Sequence, residues 1–490
     1  MANRKGRTGN ELAGAAAQMV ALGCGRCNSA SVHQIFYGLI ENPIAERPGA
    51  VDFKYGGCII TNNAWSCECL TCGNREYLSE RRHSTDQLFY RRAAVDREIS
   101  TAVTAFTREL RETLQLAEEP LFSGLGLWLL LASVAQNIPD YRIQELTRLL
   151  GMPLTAASNV ARLLISTPSL AVTAAVGAWA KAPNSNQLQS VTSVEPLPAQ
   201  SVLDAWAKEH TNGLIREFPL TVTDETLLVL ATALTAITDW TDQLDHDHDG
   251  MLTLRGGIQT VVATEAAGPV AVAKPFTTGG VDVYSIAAAQ DIPASRIWDA
   301  VDEVVALANR GALWHGAVPP SDADWDGSEN PFWLSGTESN NPWRVWREEI
   351  LREEVDGELG GRPVRWSSRL PSFATEAVLD LNAAPGVPDV VSAICALFPE
   401  LAGGTVKTMQ AAVARYTDTG FAAAAITAMG CDTGAAPDFS KVTADCVELD
   451  FTRPHACIAV GRGGAWEGIP LFSMWVKRKM WQSDRIDIAF

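Results

Sequence analysis

Cys24 and Cys27 stand two residues apart, and so do Cys69 and Cys72. A C-x2-C pair forms a tight turn with both sulfurs on one side. Two such turns bring four thiolates to one tetrahedral Zn²⁺. Four thiolates leave no open position for substrate, so the metal expected here is structural. A segment of this size has little core of its own, and binding zinc would supply its folding energy. Cys67, Cys69 and Cys72 crowd the second turn, which leaves its pairing open, and Cys58 or Cys67 is an alternative ligand. A disulfide-stapled loop is the other reading of the same residues.

A second cluster reads Asp245-His246-Asp247-His248-Asp249-Gly250 and matches the first half of a calcium-binding loop. The bidentate Glu needed at the twelfth position is missing, because Gly256 stands there. A solvated acidic turn is expected, and calcium is not. Outside these clusters the chain has no G-x-S-x-G elbow, no H-E-x-x-H and no glycine-rich phosphate loop, so no enzyme active site is expected.

Of the 490 residues, 47% are hydrophobic and 20% charged, as in an ordinary globular protein. The net charge of −18 lacks the basic footprint that general nucleic-acid binding requires. The longest apolar run, Leu125 to Ala135, falls well short of the roughly 20 residues that span a bilayer. Asn10, Glu11 and Gln18 interrupt any signal-like core near the start. A cytoplasmic monomer is the expectation, with an extracellular location as the alternative.

The elements divide as a tail (1–22), a cysteine module (23–78), a polar linker (79–93), a large domain (94–477) and a short tail (478–490). Ile99, Val103, Phe106 and Leu110 recur at helical spacing, so an amphipathic helix is expected from Ala94 to Gln115. A short strand ending at Phe122-Ser123 and a buried helix follow. Another helix then closes at Gly151. Strands are expected over Leu170 to Ala180 and over the apolar run that begins near Thr226. Between them lies a helix ending at Asn212-Gly213. The charged run Trp343 to Glu354 reads as a helix.

Further on, Ala411 to Tyr416 reads as a strand, followed by Thr417-Asp418-Thr419-Gly420-Phe421 and four alanines, Ala422 to Ala425. Small side chains at alternate positions are what a segment needs to slip into a packed sheet as an extra strand. Two strand-like segments around a glycine-rich turn end the domain, after Phe451, Arg453 and Pro454. His455 there is expected to be a core histidine bonded to backbone.

In its order of segments, from F-S-x-L and E-L-x-x-L-L-G through H-T-N-G-L-I and T-D-E-T to L-P-x-F and the alanine run, the chain resembles the serpin family over about Ala94 to Val476. Its cysteine segment resembles the small zinc ribbons of bacterial proteins. The resemblance implies an α+β serpin fold, with a large mixed sheet, further sheets and about eight or nine helices. It also implies a suicide-substrate inhibitor of a serine or cysteine protease. The protease attacks an exposed loop and forms an acyl-enzyme. The cut loop then enters the sheet before the ester is hydrolysed, and the protease is distorted. The hinge it implies comprises Asp418, Gly420, Phe421, Ala422, Ala423, Ala424, Ala425 and Thr427.

The sequence departs from the family in several places. Gly124 and Gly126 replace the usual Pro and Ser, Thr232 replaces an Asn, and Phe421 stands where Thr or Ser is usual. Overpacking by Phe421 is expected to cost on the order of 1–3 kcal/mol unless its neighbours have adapted, which favours a non-inhibitory, partner-binding alternative. Family spacing counted forward from Gly420 sets the scissile bond at Gly434–Ala435. Counted back from Pro454 it lands near Lys441.

Overall fold

The computed structural model describes residues 32–36, 53–55, 65–69 and 75–77, and then 98–481 except 139–142, 168, 170, 182–189, 224, 225, 227, 314, 317–339, 360, 361, 398–407 and 424–439. The chain divides into two units, Met1–Val95 and Asp96–Phe490. The first holds a four-stranded sheet of β1 (Val32–Phe36), β2 (Phe53–Tyr55), β3 (Trp65–Cys69) and β4 (Arg75–Tyr77), in the order β2-β1-β3-β4.

The second unit is a mixed α+β body whose apolar periodicities resolve into helices over sheets. Helix α1 (98–113) turns Ile99, Val103, Phe106 and Leu110 inward. Ser123 caps α2 (Gly124–Val134), its hydroxyl accepting from the Gly126 amide. All residues of α2 but Leu130 are buried, which is why its apolar run shows no polar face. Gly124 is required here, because a Cβ would stand 2.1 Å from the Thr107 hydroxyl. Helices α3 (Ile143–Leu150) and α4 (Leu154–Ser166) follow, then β5 (Val172–Ala180), β6 (Glu195–Pro196) and α5 (Gln200–His210). Helix α5 ends where Asn212 and Gly213 take positive φ.

The next strands are β7 (Leu228–Asp239), β8 (Asp245–His246), β9 (Leu252–Leu254), β10 (Ile258–Thr264), β11 (Gly268–Lys274) and β12 (Val281–Ala287). After α6 (Ala294–Asn309) come β13 (Trp343–Leu351), β14 (Gly357–Leu359), β15 (Arg362–Leu370) and β16 (Phe373–Asp380). Helix α7 (Val387–Leu397) leads to β17 (Met409–Tyr416) and β18 (Gly420–Ala423). The domain closes with β19 (Lys441–Asp450), β20 (His455–Gly461) and β21 (Pro470–Val476).

Three sheets result. One runs β10-β11-β12-β20-β21 and is covered by α6. A second runs β13-β19-β15-β9-β8, with β14 on β15. The third runs β16-β17-β18-β7-β5-β6, with α2 packed against β7. Seven α-helices stand among the described residues, against an expectation of about eight or nine. None of them is long and apolar enough alone to cross a membrane.

The run Trp343 to Glu354 corrects its helical reading: it is a nine-residue strand and a short 3-10 turn. Trp343, Trp346 and Ile350 fall near helical spacing. However, a full ladder with β19, and the burial of Trp343 and Ile350 within it, decides for the strand.

Candidate functional site

The residues expected as a hinge, from Asp418 to Ala423, sit where the third sheet is built around β18. Tyr416 ends β17, the chain turns through Thr417, Asp418 and Thr419, and Gly420–Ala423 enters between β17 and β7 as a strand antiparallel to both. On the β17 side Tyr416 pairs with Phe421 and Arg415 with Ala422. On the β7 side the pairs run from Gly420 with Asp239 to Ala423 with Ala236. Gly420 is required by close approach, because a Cβ would lie 2.5 Å from the Thr238 carbonyl oxygen.

The turn is held by the segment after β7. Trp240 donates its indole N–H to the Thr417 carbonyl (2.9 Å) and its amide to Thr419 (3.0 Å). The Leu244 amide donates to the Asp418 carbonyl (2.8 Å). The Asp418 carboxylate accepts from Gln243 Nε2 (2.8 Å) and stands 3.6 Å from His246 Nε2. Asp418 thus ties this turn to the segment after β7.

Phe421 is fully buried in the main core. Its cross-strand partner Tyr416 stacks on Phe373 at 5.5 Å and lies 4.9 Å from Trp240. The neighbours have therefore made room for the bulk that the sequence expectation counted as overpacking. Burial pushes the Tyr416 hydroxyl well above its ordinary pKa, and that oxygen has no hydrogen-bond partner among the described residues.

Below Ala423, β7 and β17 part. The eight residues Leu228–Thr235 of β7 have no ladder partner on the β17 side among the described residues. A cavity of about 870 Å³ lies between the strands, walled by Leu228–Leu234, by Met409–Val413, by Leu127, Leu130 and Leu131 of α2, and by the segment after α5. A polar knot crosses its floor. Gln410 donates through Nε2 to the Ser123 carbonyl (2.9 Å), and its Oε1 accepts from the Ser123 amide (2.8 Å). From the other wall the Thr232 hydroxyl donates to the Gly126 carbonyl (3.0 Å). A Cβ at residue 126 would stand 3.2 Å from Gln410 Nε2, so glycine there leaves room for the amide. Sequence reasoning missed Gln410, whose role shows only when the turn at Ser123 is packed beside it.

The remaining expected residues fall as follows. Ala424, Ala425, Thr427, Gly434 and Ala435 lie outside the described residues, as do Cys24, Cys27, Cys58 and Cys72. Cys67 and Cys69 lie in β3. Lys441 is the first residue of β19 and pairs with Leu351. His455 is buried, with Nδ1 2.8 Å from the Arg453 carbonyl oxygen, and burial lowers its pKa to about 4.

In the acidic turn Asp247 accepts from the Asp249 and Met251 amides on one oxygen. Its other oxygen takes the Arg369 guanidinium at 2.8 Å, and Arg369 reaches Asp249 at 2.9 Å. Partial burial alone would raise the Asp247 pKa. The Met251 amide and Arg369 outweigh it and hold the carboxylate below its ordinary value.

No protein-family profile matches the chain, and no curated protein matches it. Solved structures are similar to it. Serpin48 of the insect Tenebrio molitor is 14% identical, with a TM-score of 0.45 over 77% of this chain and 97% of that one. The mouse protein-Z dependent protease inhibitor is 11% identical, with a TM-score of 0.47 over 78% of this chain and 97% of that one. Human thyroxine-binding globulin complexed with thyroxine is 12% identical, with a TM-score of 0.46 over 77% of this chain and 96% of that one.

Proposed function

We propose that the chain is a serpin-type protease inhibitor that works as a suicide substrate through insertion of the segment after Ala423. One observation carries this reading. Gly420–Ala423 already forms the first rungs of a strand between β7 and β17, and below it those strands part around a cavity. Continued in the same register, the ladder faces Ala425 to Leu234, and Thr427 to Thr232 and Gln410. Alanines then meet apolar walls, and the one hydroxyl meets the polar knot. Each residue that enters closes backbone hydrogen bonds to both neighbouring strands.

Our assignment of the bond to be cut is Gly434–Ala435, with Lys441, the first residue of β19, as the alternative. The test is a panel of serine and cysteine proteases. We expect a covalent complex that survives SDS with one of them, and a higher melting temperature after a single cut between 424 and 439. Cleavage without either effect sinks the reading. A partner-binding protein that does not trap proteases is the second reading, favoured by the burial of Phe421 at the mouth of the slot. It predicts cleavage without a complex and an unchanged melting temperature.

For the first unit we propose one structural zinc on the cysteine pairs. Metal analysis of the purified protein should find about one equivalent per chain.

A further inference from the structure

The chain that leaves the loop enters β19, and β19 is not the edge of its sheet. β15 pairs with it in parallel from Val364–Asp445 to Arg369–Asp450. On the other side β13 pairs with it antiparallel over nine residues, from Trp343–Leu449 to Leu351–Lys441. The first four residues of β19, Lys441 to Ala444, therefore pair with β13 alone among the described residues.

Side chains reinforce this end. Asp445, almost fully buried, takes Arg347 of β13 on one oxygen and Arg362 of β15 on the other, each at 2.9 Å. Lys441 stands 3.7 Å from Glu349, and at the far end of the ladder Arg344 reaches Glu448 at 2.7 Å. The Arg352 amide donates to the Ser440 carbonyl at 2.8 Å. Beneath, Ile350, Ala444 and Cys446 form a buried apolar cluster with Trp346, Val355 and Val442 packed on it.

We propose that β13 is a clamp that makes entry of the loop into the slot depend on cleavage. The loop is tied at one end to β18 and at the other to β19. While it is uncut, each residue drawn deeper into the slot shortens the tether, until further entry must peel β19 from Lys441 onward. Every residue peeled there breaks a rung with β13, and the fifth exposes the Asp445 carboxylate and strips it of its guanidinium partners. A cut removes the tether and leaves the clamp intact. The inference rests on the proposed insertion function, since without an insertable loop the clamp has nothing to restrain.

The test uses the full chain and reads two quantities separately. The first is the melting temperature after a single cut in the loop; the second is the rate at which uncut protein, held warm, acquires that same melting temperature. The Arg347→Ala/Ile350→Ala variant should convert at least about tenfold faster than the unmodified chain, because one guanidinium partner of the buried Asp445 carboxylate and a buried apolar contact leave the barrier. If that variant does not fold, Ile350→Cys/Val442→Cys joins two directly opposed positions. Its oxidised form should then convert at least about tenfold more slowly than its reduced form. Equal rates in the comparison used, alongside a normal rise in melting temperature on cutting, overturn the clamp and leave the insertion reading standing. No rise on cutting overturns both.

Discussion

Tyr416 and Phe421 face each other across the turn that leads into the slot, both buried, and Tyr416 stacks on Phe373 and lies against Trp240. The strand Gly420–Ala423 is thus anchored by its largest side chain. Seated, Phe421 fixes the register of Gly420–Ala423 between β17 and β7.

Phe421→Ala should destabilise the uncut protein by about 3–5 kcal/mol, the usual cost of emptying a buried phenylalanine site. It should also raise amide hydrogen exchange at Ala422, which pairs with both neighbouring strands, and at Ala423, which pairs with β7. A variant with unchanged denaturant midpoint and exchange would show that Phe421 is not the anchor.

Gln410→Ala leaves the Ser123 amide and carbonyl without the Gln410 partners they now have. The loss should be about 1–3 kcal/mol for each group left unpaired. Thr232→Val removes one hydroxyl bond and should cost about 1 kcal/mol. After cleavage Thr232→Val should matter more, if Thr427 meets Thr232 in the slot. Paired melting curves of cut and uncut protein decide this.

His455 gives the fold an acid-sensitive element. Its pKa falls from an ordinary 6.5 to about 4 on burial, so the unfolded chain takes up a proton that the folded chain refuses. Its contribution to stability is intact above about pH 6.5. It is lost progressively as pH falls from there toward about 4, reaching about 3 kcal/mol. His455→Gln should flatten the stability profile over that window, as measured by urea titration at several pH values.

Calcium at millimolar concentration should leave the melting temperature unchanged. The carboxylates of Asp247 and Asp249 are occupied by Arg369, and Asp247 by two amides as well. Arg369→Ala should cost about 1–2 kcal/mol, by removing charge-assisted bonds from a partly buried pair. A calcium-dependent rise in the unmodified chain would contradict this account.

The sequence showed most of the frame that positions the site. Helical spacing located α1, the positive-φ pair Asn212-Gly213 marked the end of α5, and the small residues after Gly420 pointed to a segment built for a sheet. Other features depend on which elements meet. Phe421 looked like an obstacle because nothing local reveals that it pairs with Tyr416 and is buried in the main core. β13 looked helical because its charges and aromatics fall near a 3.6-residue period, while the strand that decides its state, β19, lies about a hundred residues further along. Gln410 was silent for the same reason, its partner Ser123 being 287 positions away.

An unpaired sheet edge offers a row of free amides and carbonyls to any passing strand, and such edges seed aggregation. By laying β13 over β19, the chain moves that exposure to a strand bearing Arg344, Arg347, Glu348 and Glu349. A second extended chain would have to desolvate these charges to dock there. The same addition that steadies the exit of the loop therefore also protects the sheet from joining another molecule at this border.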